Sequence, residues 1–108
     1  DNENDINNND NNKVIKSKTD KTRTYLLTPL QFSKLKVSKN IQKIMIATGN
    51  ECQFFTQPEK VRPTLQIRLL NEIIKIKNND KKGEIWNNIE NQFLKNIGGT
   101  NLGLISSE

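Results

Sequence analysis

The stretch from Thr64 to Lys77 constrains the fold most, because its hydrophobic period separates two classes of structure. Apolar residues alternate with polar ones from Leu65 to Leu69 and again from Ile74 to Lys77. A period of two is typical of half-buried strands. Because polar Asn71 and Glu72 separate the two runs, the pattern favours a β-hairpin with Glu72 at its corner.

A single helix through the same residues is the alternative. It would carry two adjoining apolar stripes, so more than half of its circumference would have to be buried. The first stripe would hold Leu65, Leu69, Ile73 and Ile76, and the second Ile67, Leu70 and Ile74. The isoleucines favour the hairpin, because branching at Cβ suits a pleated sheet better than a helix.

The first 21 residues have the composition of a disordered segment. Residues 1–12 contain seven Asn, four acidic residues and one apolar residue, Ile6. Such a segment cannot bury enough apolar surface to offset a backbone ordering entropy of about 1–2 kcal/mol per residue. We therefore expect residues 1–21 to be a disordered head that is dispensable for stability, and residues 22–108 to be one small domain.

The composition limits the chemistry of this segment. It has one cysteine, Cys52, and no histidine, which excludes an internal disulfide, zinc sites and Cys-His or Ser-His catalytic pairs. We expect no enzyme activity, cofactor or metal in this segment. The net charge of +5 suits nucleic acid, an anionic membrane or an acidic protein, and equally a lysine-rich solvated surface. No apolar run is long enough to span a bilayer, so we expect no direct membrane contact.

The clearest local signal is a helix start at Thr28. Thr28, Pro29 and Gln31 form a capping box with proline at the first helical position, preceded by a short strand over residues 24–27. We expect the helix to continue to Gly49. The alternative is a break near Val37, with a second helix capped by Ser38.

The rest of the chain predicts a loop, a turn, a helix and a strand around the hairpin. Residues 51–63 contain two prolines and show weak periodicity, so we expect a loop there. Residues 78–80 have turn chemistry and offer an N-cap. Apolar residues at helical spacing from Ile85 to Ile97 predict a helix that Gly98 and Gly99 end. A short closing strand is expected over Leu102, Leu104 and Ile105.

In order, these elements are strand, helix, strand, strand, helix and strand. They predict an α+β fold of the split βαβ, ferredoxin-like type, in which one face of an antiparallel sheet carries both helices. We expect the inward-facing side chains to be Leu65, Ile67, Leu69, Ile74 and Ile76. We expect the open face to carry Gln66, Arg68, Lys75 and Lys77.

Folds of this type serve many functions, so the function depends on the site. An RNA-recognition module needs aromatic residues on the central strands, whereas the predicted open face is polar, so nucleic acid is disfavoured. A metallochaperone would need a Cys-x-x-Cys pair, and an acylphosphatase would need a phosphate loop where Thr28-Pro29 stands. The remaining possibility is a monomeric domain that binds another protein with its sheet.

The order of elements over residues 22–108 resembles the propeptides of subtilisin-like serine proteases. The run from Phe93 to Ile105 is similar to their closing helix and strand, although no diagnostic motif matches residue for residue. The Asn-rich head beside a Lys/Ile-rich domain also resembles a malarial parasite protease prodomain. The chain departs from the family pattern in its loop over 51–63 and in ending at Glu108, so we expect the cleavage junction beyond it.

The resemblance implies an inhibitory prodomain in the secretory pathway. Propeptides of this family pack their sheet against two surface helices of the protease, assist its folding and lay a C-terminal tail in the active-site cleft. A carboxylate at the hairpin corner can cap those helices, a role implied here for Glu72. The partner-binding residues implied are Gln66, Arg68, Glu72, Lys75, Lys77, Leu102, Leu104 and Ile105.

A helical interaction module or a basic nucleic-acid-binding module is the alternative. It follows if Leu65 to Lys77 is a helix, because Lys36, Lys39 and Lys43 would then offer a basic stripe to an acidic partner or to phosphates.

Overall fold

The computed structural model describes residues 19–58, 61–77 and 83–108, and its elements form an α+β fold. In chain order they are β1 (Thr22–Leu26), α1 (Pro29–Leu35), α2 (Ser38–Thr48), β2 (Cys52–Gln57), β3 (Thr64–Leu69), α3 (Asn71–Lys77), α4 (Glu84–Ile97) and β4 (Gly103–Ser107). The predicted α+β class is confirmed. The described residues contain four helices rather than the two that the sequence predicted.

The four described strands form one antiparallel sheet in the order β2-β3-β1-β4. The central strands β1 and β3 pair with Thr24 opposite Gln66, and β3 pairs with β2 with Gln66 opposite Phe55. Ser106 of β4 lies opposite Thr24, next to a register shift between Thr24 and Tyr25. Each described strand therefore has a defined inward and outward side.

The predicted hairpin over Leu65 to Lys77 is wrong in its second half. β3 is a strand as expected, but residues 71–77 form the helix α3. The N–H groups of Ile73 and Ile74 both donate to the carbonyl oxygen of Leu70. Glu72 in the first turn and Lys75 and Lys77 in the last turn complement the helix dipole.

The strand that pairs with the outer side of β3 is β2, which lies in the segment predicted as a loop. That prediction is wrong because residues 52–57 do alternate. Cys52 is buried and Phe54 half-buried, whereas Gln53, Phe55 and Gln57 are exposed. The alternation was difficult to recognise in the sequence because Phe54 and Phe55 are adjacent and lie on opposite faces. The antiparallel neighbours that follow each other in the chain are β2 and β3, with Gln57 opposite Thr64.

The helix signals near Thr28 are confirmed. The hydroxyl of Thr28 accepts a hydrogen bond from the Gln31 N–H at 3.0 Å, and the Thr28 N–H donates to Gln31 Oε1 at 3.1 Å.

The prediction of one helix that continues to Gly49 is wrong, and the alternative break near Val37 is correct, since α1 ends at Leu35 and α2 begins at Ser38. The N-cap of α2 is Val37 rather than the predicted Ser38. The Asn40 amide donates to the carbonyl oxygen of Lys34 at 2.8 Å, and the Val37 N–H donates to the same oxygen at 3.2 Å, so both groups pair with the last turn of α1.

The last helix and strand also follow the sequence pattern. Helix α4 ends at Ile97, and Gly98 and Gly99 have φ of 85° and 92°, a region that glycine adopts without the steric penalty of a Cβ atom. The predicted N-cap turn at residues 78–80 lies outside the described residues. β4 occupies residues 103–107, where a closing strand was expected.

The hydrophobic core lies between one face of the sheet and the helices. It is a single cluster of buried residues from β1, β2 and β3 with α1, α2 and α4, and Phe54 meets Phe93 edge to face with centroids 4.9 Å apart. The predicted inward positions Leu65, Ile67 and Leu69 are buried. The prediction for Ile76 is wrong, because its place on α3 leaves it 58% exposed, while Ile74 packs partly against the core.

We expect Trp86→Ala to destabilise the domain by about 3–5 kcal/mol, because the indole is fully packed and leaves a large cavity. Its ring Nε1 also donates to the Asp20 carbonyl oxygen at 2.7 Å. Chemical denaturation followed by circular dichroism measures the change. Ile46→Ala, at an exposed position of α2, serves as the control, and an equal loss in both variants would contradict the assignment of Trp86 to the core.

Candidate partner-binding surface

The side of the sheet that faces away from the helices forms an open face. The pairing registers place Thr24, Gln66 and Phe55 in one row across β1, β3 and β2, and Ser106 continues that row on β4. Gln66 Nε2 donates to Thr24 Oγ1 at 3.4 Å. The remaining open-face residues of the strands are Thr22, Leu26, Gln53, Gln57, Thr64, Arg68 and Gly103.

The open face is unusually poor in charge for this chain. Charged residues make up 27% of the sequence, yet Arg68 is the one charged side chain that the described strands place on this face. Phe55 lies beside it with 49% of its surface exposed. Depletion of charge, together with aromatic and arginine residues, distinguishes the centres of protein interfaces from ordinary surface.

Two of the predicted partner-binding residues lie together on the open face. Gln66 and Arg68 are on the central strand β3, where Arg68 is opposite Thr22 on one side and Gln53 on the other. The alternation of apolar and polar residues in the sequence was sufficient to predict that Gln66 and Arg68 share one face of the sheet.

Three predicted residues lie elsewhere. Glu72, Lys75 and Lys77 belong to α3 rather than to a strand, so they do not share the open face with Gln66. Lys77 Nζ donates to the carbonyl oxygen of Thr19 at 2.9 Å, which ties α3 to the residues before β1. Because residues 71–77 form a helix where a second strand was predicted, these side chains do not lie on the sheet.

The three C-terminal predicted residues are divided between core and surface. Leu102 is buried, and Leu104 faces inward because it pairs with Tyr25. Ile105 lies at the register shift in β4 and is 45% exposed. Glu108 still pairs with Thr22 through backbone hydrogen bonds, so residues 103–108 belong to the sheet rather than to a tail.

Phe55 is the surface residue that the sequence interpretation missed. The alternation of Gln53, Phe55 and Gln57 with Cys52, Phe54 and Thr56 was the available signal. It was obscured because both faces of β2 carry a phenylalanine and Pro58 follows directly.

A second polar group, the Arg23 cluster, consists of Asp20, Arg23, Tyr25, Glu90 and Ser107. The Arg23 guanidinium donates to both carboxylate oxygens of Asp20 at 3.0 and 2.9 Å and to Glu90 Oε2 at 2.9 Å. The Tyr25 hydroxyl donates to the same Glu90 oxygen at 2.6 Å, and the Ser107 hydroxyl donates to Asp20 Oδ1 at 2.6 Å. These bonds join β1, β4 and α4 at one end of the core.

The electrostatics of the Arg23 cluster favour the charged ion pair. Burial alone would raise the pKa of the Asp20 carboxyl, but hydrogen bonds from Arg23 and Ser107 hold that pKa below its ordinary value. Burial and the neighbouring Glu90 carboxylate raise the pKa of Tyr25, so the phenol stays protonated. Arg23 also lies over the Trp86 ring, with Cζ 4.6 Å from the centroid, a favourable cation–π arrangement.

The Arg23 cluster lies largely inside the domain. Arg23 and Tyr25 are buried, so neither side chain can touch a substrate in this arrangement. Burial likewise raises the pKa of the Cys52 thiol, which keeps it protonated and weakly nucleophilic. Within the described ranges there is no group of three or more His, Cys, Asp or Glu residues that could hold a metal ion.

No helix in the part of the chain that the structure describes is long and apolar enough to cross a membrane. Comparison of the chain with models of protein families, with curated proteins and with solved structures found no match.

The described domain includes Asp20 and Lys21, two residues of the predicted head. The Lys21 N–H donates to the Glu108 carbonyl oxygen at 2.7 Å, in addition to the Asp20 contacts. We expect deletion of residues 1–21 to leave the domain about 3 kcal/mol less stable than deletion of residues 1–18, because only the longer deletion leaves Arg23 without Asp20. Urea denaturation of the two truncated chains measures the difference, and equal stabilities would show that Asp20 contributes little.

Asp20→Asn should lower the free energy of unfolding by about 3 kcal/mol at pH 7, because it breaks a buried ion pair. The folded-state pKa of Asp20 is lowered, so its stabilisation is complete above the unfolded value of about 3.9 and is lost as the pH falls through the folded value. The difference between wild type and variant should therefore shrink below about pH 4. Denaturation curves at several pH values test this, with the exposed Glu72→Gln as the control. A difference that stays constant with pH would contradict the assignment.

Proposed function

We propose that this chain is a protein-binding domain that acts as the inhibitory prodomain of a subtilisin-like serine protease. The observation that carries the proposal is the open face, which is broad, nearly free of charge and centred on Gln66 with Phe55 exposed beside it. A sheet face of this kind offers apolar contact and neutral hydrogen-bonding groups to a protein surface.

The topology supports the resemblance to subtilisin propeptides. Read from the other edge, the strand order is β4-β1-β3-β2, and helices α1 and α2 connect β1 to β2 while α3 and α4 connect β3 to β4. This strand order and these connections support the proposed split βαβ, ferredoxin-like arrangement. It leaves the sheet face free for the two protease helices that propeptides of this family contact.

Recognition would use different residues from those that the sequence alone suggested. The row of Thr24, Gln66 and Phe55 would lie under the protease helices, with the Gln66 amide available to polar groups at their ends. Arg68 would lie at the side of this row. Lys75 and Lys77, on α3, would not take part.

The resemblance implied that a carboxylate at the hairpin corner caps a protease helix, and the structure changes which residue is the candidate for this role. The hairpin of the structure joins β2 to β3, and in the sequence Glu59 stands in that connection; the placement of Glu59 lies outside the described residues. We therefore propose Glu59 rather than Glu72 as the carboxylate that caps a protease helix, a contribution of about 0.3–2 kcal/mol. Inhibition should weaken for Glu59→Gln and stay unchanged for Glu72→Gln.

The test of the proposed function is inhibition of a bacterial subtilisin by the 108-residue chain, with trypsin as the specificity control. We expect subtilisin to be slowed and trypsin to be unaffected, because the open face would recognise the two surface helices of the subtilisin fold. Gln66→Glu should raise the inhibition constant by about tenfold, since it places an unpaired carboxylate at the centre of the interface.

Gln42→Glu is the matched control, because it makes the same isosteric change at an exposed position of α2. Trp86 fluorescence and circular dichroism confirm that both variants remain folded. Equal effects of the two substitutions, or no inhibition of subtilisin by a chain shown to be folded, would reject the proposed function.

A further inference from the structure

The free edge of β2 presents the backbone groups of alternate residues. β2 lies at one end of the described sheet, and the Leu70 N–H donates to the Glu51 carbonyl oxygen at 2.9 Å just before the strand begins. Hydrogen-bonded and non-hydrogen-bonded pairs alternate along an antiparallel ladder. The odd-numbered residues of β2 therefore bond to β3, and the even-numbered residues direct their N–H and C=O groups outward. These outward-facing residues are Cys52, Phe54 and Thr56.

The β2 edge lacks the features that usually prevent strands from pairing. Soluble proteins protect exposed edges with charged residues, prolines or bulges. β2 has the sequence CQFFTQ and pairs with β3 without a register shift, so the strand contains none of these features. The opposite edge strand, β4, does have a register shift in its pairing with β1. One edge of the described sheet is therefore suited to pairing, and the other is interrupted.

An uncharged groove of about 800 Å³ lies beside this edge, between β2 and the helices α1 and α2. None of the described residues that line it is charged, and they are Leu35, Ile41, Met45, Thr48, Gly49 and Cys52 to Thr56. Ile41, Met45 and Thr48 form one stripe of α2, because residues three and four apart are neighbours on a helix surface. Met45 is 56% exposed in this groove. The β2 edge thus has an apolar wall beside it that the described domain leaves open to water.

The lysines of α1 and α2 lie away from the groove. The ammonium groups of Lys34 and Lys36 lie beside the end of α4 and over an aromatic ring of α1. Lys39 and Lys43 are at least about 120° from Met45 around the axis of α2, because each residue turns the helix by about 100°. A second copy of this chain would therefore bring no like charge into the groove.

We propose that two copies of this chain pair through their β2 edges about a two-fold axis and form a dimer with one continuous sheet of eight strands. The antiparallel pair is centred on Phe54, which lies opposite Phe54 of the second copy. Cys52 then lies opposite Thr56 of the second copy, and Thr56 opposite Cys52. All three outward-facing residues of each strand are paired in this way, which gives six backbone hydrogen bonds, two in each pair.

The β2 edge is complementary to itself, as a two-fold interface requires. The register centred on Phe54 uses every outward-facing residue of the strand. A register centred on Phe55 would instead place Cys52 opposite Pro58, which has no N–H to donate. This self-complementarity is the reason for assigning the edge to a second copy rather than to a different protein.

The same axis joins the two grooves above the paired strands. An axis perpendicular to the sheet keeps both open faces on one side and both α2 helices on the other. Ile41 and Met45 of each copy then approach their counterparts across the axis, so their exposed apolar surface is removed from water together with that of Phe54. Because the β4 edge is interrupted, assembly ends at two copies. The dimer leaves both open faces uncovered and does not depend on the proposed protease partner.

Sedimentation equilibrium of the 108-residue chain at concentrations from about 1 to 300 µM tests the assembly. We expect a monomer–dimer equilibrium with a dissociation constant on the order of 10 µM, as for other small interfaces. Raising NaCl from about 0.05 to 0.5 M should leave the association unchanged or strengthen it, because the interface is uncharged and salt screens repulsion between the two net charges. A chain that stays monomeric, that forms species larger than a dimer or that dissociates in salt would overturn the proposal.

Met45→Glu and Ile46→Glu form a matched pair of variants on α2. Met45 lines the groove, whereas its neighbour Ile46 is 86% exposed and lies outside the lining. We expect Met45→Glu to raise the dissociation constant of the dimer at least about tenfold and Ile46→Glu to leave it unchanged. Circular dichroism checks that both variants are folded. Equal effects of the two substitutions would show that the copies meet elsewhere.

Thr56→Pro tests the backbone pairing. The Thr56 N–H points away from β3, so proline at this position removes a hydrogen bond of the dimer and none from the sheet of the monomer. We expect the dissociation constant to rise at least about tenfold, with the circular dichroism spectrum and Trp86 fluorescence of the monomer unchanged. A folded Thr56→Pro variant that dimerises as tightly as the wild type would contradict strand pairing.

Disulfide trapping tests the register independently of affinity. In a Cys52→Ala background, which removes the natural thiol, Gln53→Cys and Phe55→Cys place thiols opposite each other when the pair is centred on Phe54. An equimolar mixture of the two variants should cross-link with glutathione disulfide faster than either variant alone. Faster cross-linking of Phe55→Cys alone would move the axis to Phe55, and equal slow cross-linking in all three samples would overturn edge pairing.

A strand of another protein is the competing occupant of the β2 edge. A fluorescein-labelled heptapeptide that alternates valine with threonine serves as its probe in fluorescence anisotropy with the full chain. We expect this peptide to bind at least about tenfold more weakly than the chain binds itself. Tighter binding of the peptide, abolished by Met45→Glu, would make a segment of another protein the occupant and reject the dimer.

Discussion

Burial of one face of the sheet beneath the helices is the constraint on which the rest of the structure depends. Tyr25, Leu65 and Ile67 face Trp86, Ile89 and Phe93 in one buried cluster. Because side chains alternate along a strand, this burial fixes the opposite positions as the open face. A shift of one residue in the pairing would expose the core residues, so the location of the open face follows directly from packing of the core.

The Arg23 cluster is the polar exception within the buried face. Removing a guanidinium and two carboxylates from water is costly, and their attraction offsets that cost only when the geometry is good. Here Asp20 accepts two hydrogen bonds from Arg23 in a bidentate arrangement and a third from Ser107, and Glu90 accepts one from Arg23 and another from Tyr25. The cluster therefore selects one arrangement of β1, β4 and α4, since an alternative packing would leave a charge buried without its partner.

The surface proposed for partner binding depends on which segment pairs with the outer side of β3. With Cys52–Gln57 as that segment, Phe55 joins Gln66 on the open face, and the free edge of the sheet lies beside α2. Had residues 74–77 taken this position, Lys75 and Lys77 would have made the same surface basic. The choice between these two strands thus changes the chemistry of the surface from cationic to nearly neutral.

Local features of this structure followed from the sequence alone. The capping box at Thr28, the stop at Gly98 and Gly99 and the inward positions of β3 depend on residues close together in the chain, and their physical causes act within one or two turns or along one strand. The sequence likewise placed Gln66 and Arg68 on one face. Only the tertiary structure decided that residues 71–77 form a helix, that β2 is a strand and that Asp20 belongs to the domain. The first two outcomes depend on which segment pairs with β3, and the third depends on the contacts of Asp20 with Arg23 and Trp86. The hydrophobic pattern of a segment does not specify which distant segment it will contact.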